Sequence, residues 1–148
     1  MTSDWLAEAI ATHRLERVKA NMAAAGERIN DARRHVASAR KLAESDTTLA
    51  MSACHDAIRK AVVGHMLARG LRIHVGEGAH RVTLDYARRE LAGAVSQSDL
   101  VDANEIRQDR ALAEYGDFAS TKLRAKHVVA AADVAERIVN AVARVLAS

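Results

Sequence analysis

The chain has 148 residues, no proline, one cysteine and 3% aromatic residues, and its net charge of +3 combines 17 arginines and 5 lysines with 19 acidic residues. This composition favours one all-α domain over residues 1–148, because alanine, leucine and arginine are strong helix formers. It excludes a disulfide framework and, since no apolar run approaches about 20 residues, a membrane span.

The first long apolar pattern covers residues 15–43, where apolar side chains recur at spacings of three and four. That spacing is typical of a helix packed against other helices. Gly26 lies inside it, so the helix either continues through Gly26 at a cost of about 1 kcal/mol or kinks there. Upstream, residues 5–10 form a short amphipathic segment. It is either a separate arm within residues 1–26 or the start of the same helix.

The second helix is predicted over residues 47–69, because Asp46 or Thr47 can cap its N-terminus and Gly70 follows its C-terminus. The segment 70–78 contains three glycines in nine residues, too many for a helix. It lacks the GxxxxGK[ST] pattern of a phosphate-binding loop. We therefore interpret it as a shaped connector.

Three further helices are predicted at about residues 79–95, 98–115 and 119–147, with Ser98 or Asp99 capping the middle one. The chain is thus predicted to be an antiparallel up-and-down bundle of four long helices plus one shorter helix. A core made largely of small side chains buries little apolar area per residue. Because an interface between two copies would bury more apolar area, this favours a homodimer.

The cysteine and the histidines carry no pattern typical of a metal or nucleophilic site. Cys54 lies on an apolar stripe, which is typical of a small buried hydrophobe. His65 falls on the apolar side of its helix and is interpreted as a hydrogen-bonded core histidine. The other histidines are scattered, with no HExxH motif and no Cys/His pair at ligand spacing. We therefore predict no metal and no cofactor.

The segment from Arg107 to Asp117 differs from the rest of the chain. Arg107, Arg110 and Glu114 are three and four residues apart, so they share one helical face. Leu100 lies on that face two turns earlier, so the apolar stripe becomes charged toward the end of the helix. Inward-facing arginines are costly unless they are paired or bind a ligand.

Two interpretations of this charged face follow. In the first, the arginines form a lattice of ion pairs, with Arg110 bound to Glu114 and Arg107 bound to Asp109 or to a neighbouring helix. In the second, they bind a ligand. From the residues alone, the first interpretation is favoured.

Three segments resemble the HEPN superfamily, a group of small helical bundles found in prokaryotic toxin–antitoxin and defence systems. They are His-Asp-Ala-Ile-Arg-Lys-Ala at 55–61, the connector from Gly70 to His80 with the helix ending Ala-Arg-Arg-Glu-Leu at 87–91, and Arg-x-x-Arg…Glu-Tyr-Gly-Asp at 107–117. The resemblance covers roughly residues 27–147. It implies the same helical bundle.

Many HEPN domains are metal-independent ribonucleases with an Arg-x(4–6)-His motif, usually paired across a dimer. In such a motif the arginine holds the scissile phosphate while the histidine transfers protons. This chain departs from the motif. If Arg107 is the motif arginine, Ala113 stands where the histidine is expected. If Arg110 is the motif arginine, Tyr115 takes that position, and a phenol holds its proton at neutral pH.

The resemblance therefore implies a component of a toxin–antitoxin or phage-defence system that binds RNA or a phosphate-bearing ligand, as a ribonuclease if it is active. The catalytic candidates are Arg107, Arg110 and Tyr115, and the ligand-binding candidates are Glu114 and Asp117. The expected partners are a second copy of the chain, a nucleotidyltransferase antitoxin or another protein subunit, and RNA.

The alternative function is that of a non-catalytic helical subunit that binds a protein partner through residues 15–43 and 5–10. The N-terminus carries early acidic residues and no signal-peptide pattern, so we expect a cytoplasmic protein.

Overall fold

The computed structural model describes residues 3–74, 76, 78–115 and 123–148, and these residues form six helices and one two-stranded antiparallel sheet. The elements in chain order are α1 (Asp4–Ala11), β1 (Leu15–Arg17), α2 (Met22–Leu42), α3 (Thr47–Ala68), β2 (Leu71–Ile73), α4 (Ala79–Glu90), α5 (Gln97–Tyr115) and α6 (Ala125–Ala147). The predicted all-α class is confirmed. The small sheet was not predicted.

Helix α3 lies at the centre of the fold and packs against α2, α5 and α6. Its contact with α2 is close at Gly64, where an added Cβ atom would lie 3.2 Å from the Ala25 carbonyl oxygen. The predicted cap at Asp46 is confirmed, since its side chain accepts a hydrogen bond from the Leu49 amide at 3.0 Å. Gly26 lies inside α2, which continues through it as a helix.

The prediction of a helix over residues 15–43 is wrong at its N-terminal end. Residues 15–17 form β1, in which Leu15 pairs with Ile73 of β2. The chain turns at Gly70, which has a φ of 72°, and the Gly70 carbonyl accepts a hydrogen bond from the Val18 amide at 2.9 Å. Helix α2 then begins after Asn21, whose side chain caps it. The strand pairing supplies backbone hydrogen bonds that helical periodicity does not reveal.

Residues 4–11 form a separate helix, which decides between the two alternatives for the N-terminal segment. Leu6 and Ala9 of α1 are buried in the same core as the apolar residues of α2. The Trp5 ring packs edge-on against the ring of Tyr86 in α4, at 6.3 Å between centroids. The apolar residues that the alternative function assigned to a protein partner are therefore largely buried within the chain itself.

A cluster of polar side chains surrounds Tyr86, the residue on which Trp5 of α1 packs. His65 Nδ1 and the Tyr86 hydroxyl are 2.8 Å apart, and Arg69 donates a hydrogen bond to the same hydroxyl at 3.2 Å. Because Tyr86 is fully buried, its pKa rises to about 12. Burial also lowers the pKa of His65, and the nearby Arg69 charge lowers it further. The predicted core histidine is thus confirmed, with Tyr86 as its partner.

Three helix boundaries in the second half of the chain differ from those predicted, and one is the start of α6, which lies at Ala125 rather than near residue 119. Helix α4 ends at Glu90 rather than near residue 95, because the chain then makes a turn in which the Val95 amide donates to the Leu91 carbonyl at 2.9 Å. Helix α5 begins two residues after the turn, at Gln97. Ser96 rather than Ser98 or Asp99 supplies the side-chain acceptor at its start, at 3.1 Å from the Asp99 amide. In the described part of the chain, no helix combines the length and apolarity needed to span a membrane.

Replacing Gly70 with alanine should destabilise the fold by about 1–3 kcal/mol. The new Cβ would lie 2.6 Å from the Val18 carbonyl oxygen, at a residue with positive φ. Gly26→Ala is the matched control. A Cβ there meets no atom within 4 Å, so this change should stabilise α2 by about 0.5–1 kcal/mol. Urea unfolding of both variants measures the difference in the free energy of unfolding. Equal changes in the two variants would contradict the requirement for glycine at residue 70.

Lowering the pH from 7.5 to 5 should reduce the free energy of unfolding. The unfolded His65 ring titrates near 6.5, whereas its folded pKa is lowered, so the unfolded chain binds protons first as the pH falls below about 6.5. The variant His65→Gln should show a shallower loss, while His74→Gln, at an exposed position, should behave as wild type. If His65→Gln lost as much free energy of unfolding between pH 7.5 and 5 as the wild type, the contribution of His65 to this pH dependence would be contradicted.

Candidate functional site

The predicted arginine segment lies in the second half of α5. Arg107 and Arg110 are both half-buried, and the Nε atom of Arg110 is buried. Glu114 and Tyr115 form the end of the same helix, but their side chains lie outside the described part of the structure. Asp117 also lies outside the described residues. The structure therefore positions two of the five predicted site side chains.

Arg107 contacts a residue of its own helix. Its Nε and Nη2 atoms donate hydrogen bonds to Asn104 Oδ1, at 3.4 and 3.2 Å. Asn104 lies one turn earlier, so both side chains project from the same side of α5. The partner is thus an amide rather than Asp109, the carboxylate named in the ion-pair interpretation.

A cavity of about 320 Å³ lies between α4 and α5 on this side. Its lining residues include three arginines, an aspartate and an amide, and they are Arg81, Leu84, Asp85, Arg88, Asn104 and Arg107. Leu84 is buried, whereas Arg81 and Arg88 are exposed. The cavity therefore combines one buried apolar side chain, Leu84, with arginines contributed by two helices.

The charges of these side chains define what the cavity can bind. Asp85 and Arg88 form an ion pair at 3.7 Å, which leaves the positive charges of Arg81 and Arg107 in excess. Each guanidinium is planar and offers five N–H donors in a geometry that matches the oxygens of a phosphate. Arginine also stays protonated at physiological pH. The arginines can bind an anion but cannot act as general bases.

Arg81 and Arg88 were not among the predicted site residues, and Arg110 does not line the cavity. The signal for the first two is their position: Arg81, Asp85 and Arg88 are four and three residues apart, so they share one face of α4. Their proximity to Arg107 depends on the packing of α4 against α5, which no pattern within one helix reveals.

Three further nucleophile or metal candidates, Cys54, His35 and His127, are buried or hydrogen-bonded within the fold. Cys54 is fully buried, and burial raises the pKa of its thiol to about 11, so it holds its proton at neutral pH. His35 Nε2 lies 2.8 Å from the Lys60 ammonium, and the backbone N–H of Arg124 donates to His127 Nδ1 at 3.0 Å. Within the described residues, no cluster of three or more histidine, cysteine, aspartate or glutamate side chains can hold a metal ion.

A sequence model described as "HEPN domain" matches residues 25–147, from the start of α2 to the end of α6. The chain therefore belongs to the HEPN family, whose domains are generally associated with nucleases and with toxin and defence systems. No curated protein and no solved structure gives a significant match. The arm formed by α1 and β1 precedes the matched region.

Inorganic pyrophosphate should raise the thermal unfolding temperature of the protein, because a ligand that binds only the folded state stabilises it by mass action. At a concentration 100 times the Kd, the expected gain is about 2.7 kcal/mol. The double variant Arg81→Ala/Arg88→Ala should lose this gain. Arg89→Ala removes an exposed arginine of α4 that does not line the cavity and should keep it. Equal gains in all three proteins would contradict anion binding at this cavity.

Proposed function

We propose that this HEPN domain binds RNA through its phosphates, at the cavity between α4 and α5, within a toxin–antitoxin or phage-defence system. The observation that carries the proposal is the convergence of Arg81, Arg88 and Arg107 from two helices on one cavity. Arginine–phosphate pairs are among the strongest charge-assisted hydrogen bonds in proteins. Membership of a family associated with nucleases supports RNA as the source of the phosphate.

The size of the cavity also supports a polymeric ligand. Its volume of about 320 Å³ equals that of roughly ten water molecules in the liquid. This exceeds the space that a single phosphate needs, so part of the adjoining nucleotide can enter. The exposed rim at Arg81 and Arg88 leaves room for the chain to continue on either side.

The role assigned to the described cavity residues is binding rather than cleavage. Cleavage of RNA without a metal requires a group that transfers protons near neutral pH. Arginine does not meet that requirement, no histidine is among the lining residues, and the lining carboxylate of Asp85 is paired with Arg88 at 3.7 Å. Tyr115, with Glu114 and Asp117 beside it in sequence, remains the proposed candidate for any chemistry at this end of α5. The proposal includes no metal and no cofactor.

We also propose a homodimer in the cytoplasm, with a nucleotidyltransferase antitoxin as a further protein partner. The observation that favours an interface is on α5, where Val101 and Leu112 are 48% and 45% exposed. They are eleven residues apart, which places them on the same side of the helix, away from the buried side. Light scattering of the purified protein tests the oligomeric state.

Fluorescence anisotropy with a labelled single-stranded RNA, measured between 50 and 200 mM salt, tests the proposed function. The wild type should bind with a salt dependence set by the phosphates it contacts. The triple variant Arg81→Ala/Arg88→Ala/Arg107→Ala should bind more weakly. Its slope of log K against log salt should be smaller by about 2, at roughly 0.7 per phosphate contact. Arg89→Ala, which removes one exposed arginine of α4 that does not line the cavity, is the control and should bind as wild type.

A companion assay follows cleavage of the same RNA by the wild type and by Arg107→Ala/Arg110→Ala. Background cleavage by both proteins, together with cavity-dependent binding, agrees with a binding role. Cleavage that the double variant loses would show catalysis at the end of α5 and would contradict the assignment of binding alone. Wild-type affinity and slope in the triple variant would contradict RNA binding at the cavity.

A further inference from the structure

Four arginines in the described helices contact the residue three positions before them on the same helix. The pairs are Arg34 with Asp31, Arg59 with Asp56, Arg88 with Asp85, and Arg107 with Asn104. In the first three pairs the partner is a carboxylate, and in the fourth it is an amide. The exception is the arginine that enters the cavity from α5.

The difference between the two partners is one of charge rather than shape. Asparagine and aspartate have nearly the same size, and both present an oxygen acceptor at the same place. The Asn104 oxygen receives two hydrogen bonds from Arg107, which orient the guanidinium. An aspartate would orient it equally well but would also neutralise its charge. With the amide, the full positive charge and three N–H donors remain for a ligand.

We propose that Asn104 is a positioning residue for anion binding, one that fixes the guanidinium of Arg107 in the cavity without neutralising it. This inference rests on the proposed function and deepens it. It also assigns different roles to the two paired arginines of the cavity. Arg88 is partly neutralised by Asp85 at 3.7 Å, whereas Arg107 has its full charge for the phosphate.

The variant Asn104→Asp tests the proposal. It should keep the orientation of Arg107 but weaken RNA binding about three- to tenfold, and the slope of log K against log salt should fall by about 0.7. Asn30→Asp, the same change at an exposed position of α2, adds the same negative charge away from the cavity and should bind as wild type. Both variants should unfold within about 2 °C of the wild type, since an ion pair between residues three or four apart on a helix contributes only about 0.2–0.5 kcal/mol.

Asn104→Ala separates orientation from charge. It removes the acceptor but leaves Arg107 charged, so the affinity should fall while the salt slope stays at the wild-type value. Asp85→Asn is the reciprocal change, because it frees Arg88 from its carboxylate. It should strengthen RNA binding about three- to tenfold and increase the slope by about 0.7. A purely structural role for Asn104 would change unfolding without producing these opposite shifts in slope.

The outcomes distinguish this inference from the proposed function. If Arg107→Ala weakens binding but Asn104→Asp has the wild-type slope, the positioning role is overturned and RNA binding at the cavity stands. If neither Arg107→Ala nor Arg81→Ala/Arg88→Ala changes binding, the proposed function itself fails. A lower slope in Asn104→Asp, with wild-type slopes in Asn104→Ala and Asn30→Asp, supports the inference.

Discussion

The fold depends on the close packing of α3 against α2. At Gly64 the two helices approach so closely that even one added methyl group would press on the Ala25 carbonyl, at 3.2 Å. Small residues at such a contact let the helix axes come together and exclude water from a core with few large side chains. Helix α3 is then enclosed by α2, α5 and α6. The position of α5, and with it the position of Arg107, follows from this packing.

Helix α5 separates opposite charges on its two flanks. Its apolar side, which includes Ile106, packs into the core. The flank toward α4 carries Asn104 and Arg107, whereas Asp102, Glu105 and Asp109 line a separate cavity toward α6. These three acidic residues of α5 therefore do not line the basic cavity. The positive charges of Arg81, Arg88 and Arg107 repel one another across the cavity. A bound anion would relieve that repulsion between α4 and α5.

Much of the fold could be predicted from the sequence because helical periodicity and capping are local properties. The cap at Asp46 and the turn at Gly70 are both readable from a few residues. The strand at Leu15–Arg17 was missed because its hydrogen-bond partner lies more than fifty residues away. The site was predicted only in part for the same reason. Arg107 could be selected from its spacing to Arg110 and Glu114 on one helix. Arg81 and Arg88 reach the same cavity only because α4 packs against α5.

The central claim is that Arg81, Arg88 and Arg107 hold the phosphates of a bound RNA. The most direct measurement is an NMR titration that follows the side-chain Nε–Hε signals of the arginines as a short single-stranded RNA is added. We expect the signals of these three arginines to shift together with one apparent Kd, while those of Arg33 and Arg34 on the exposed side of α2 stay in place. Shifts confined to the α2 arginines, with the cavity signals unchanged, would contradict it.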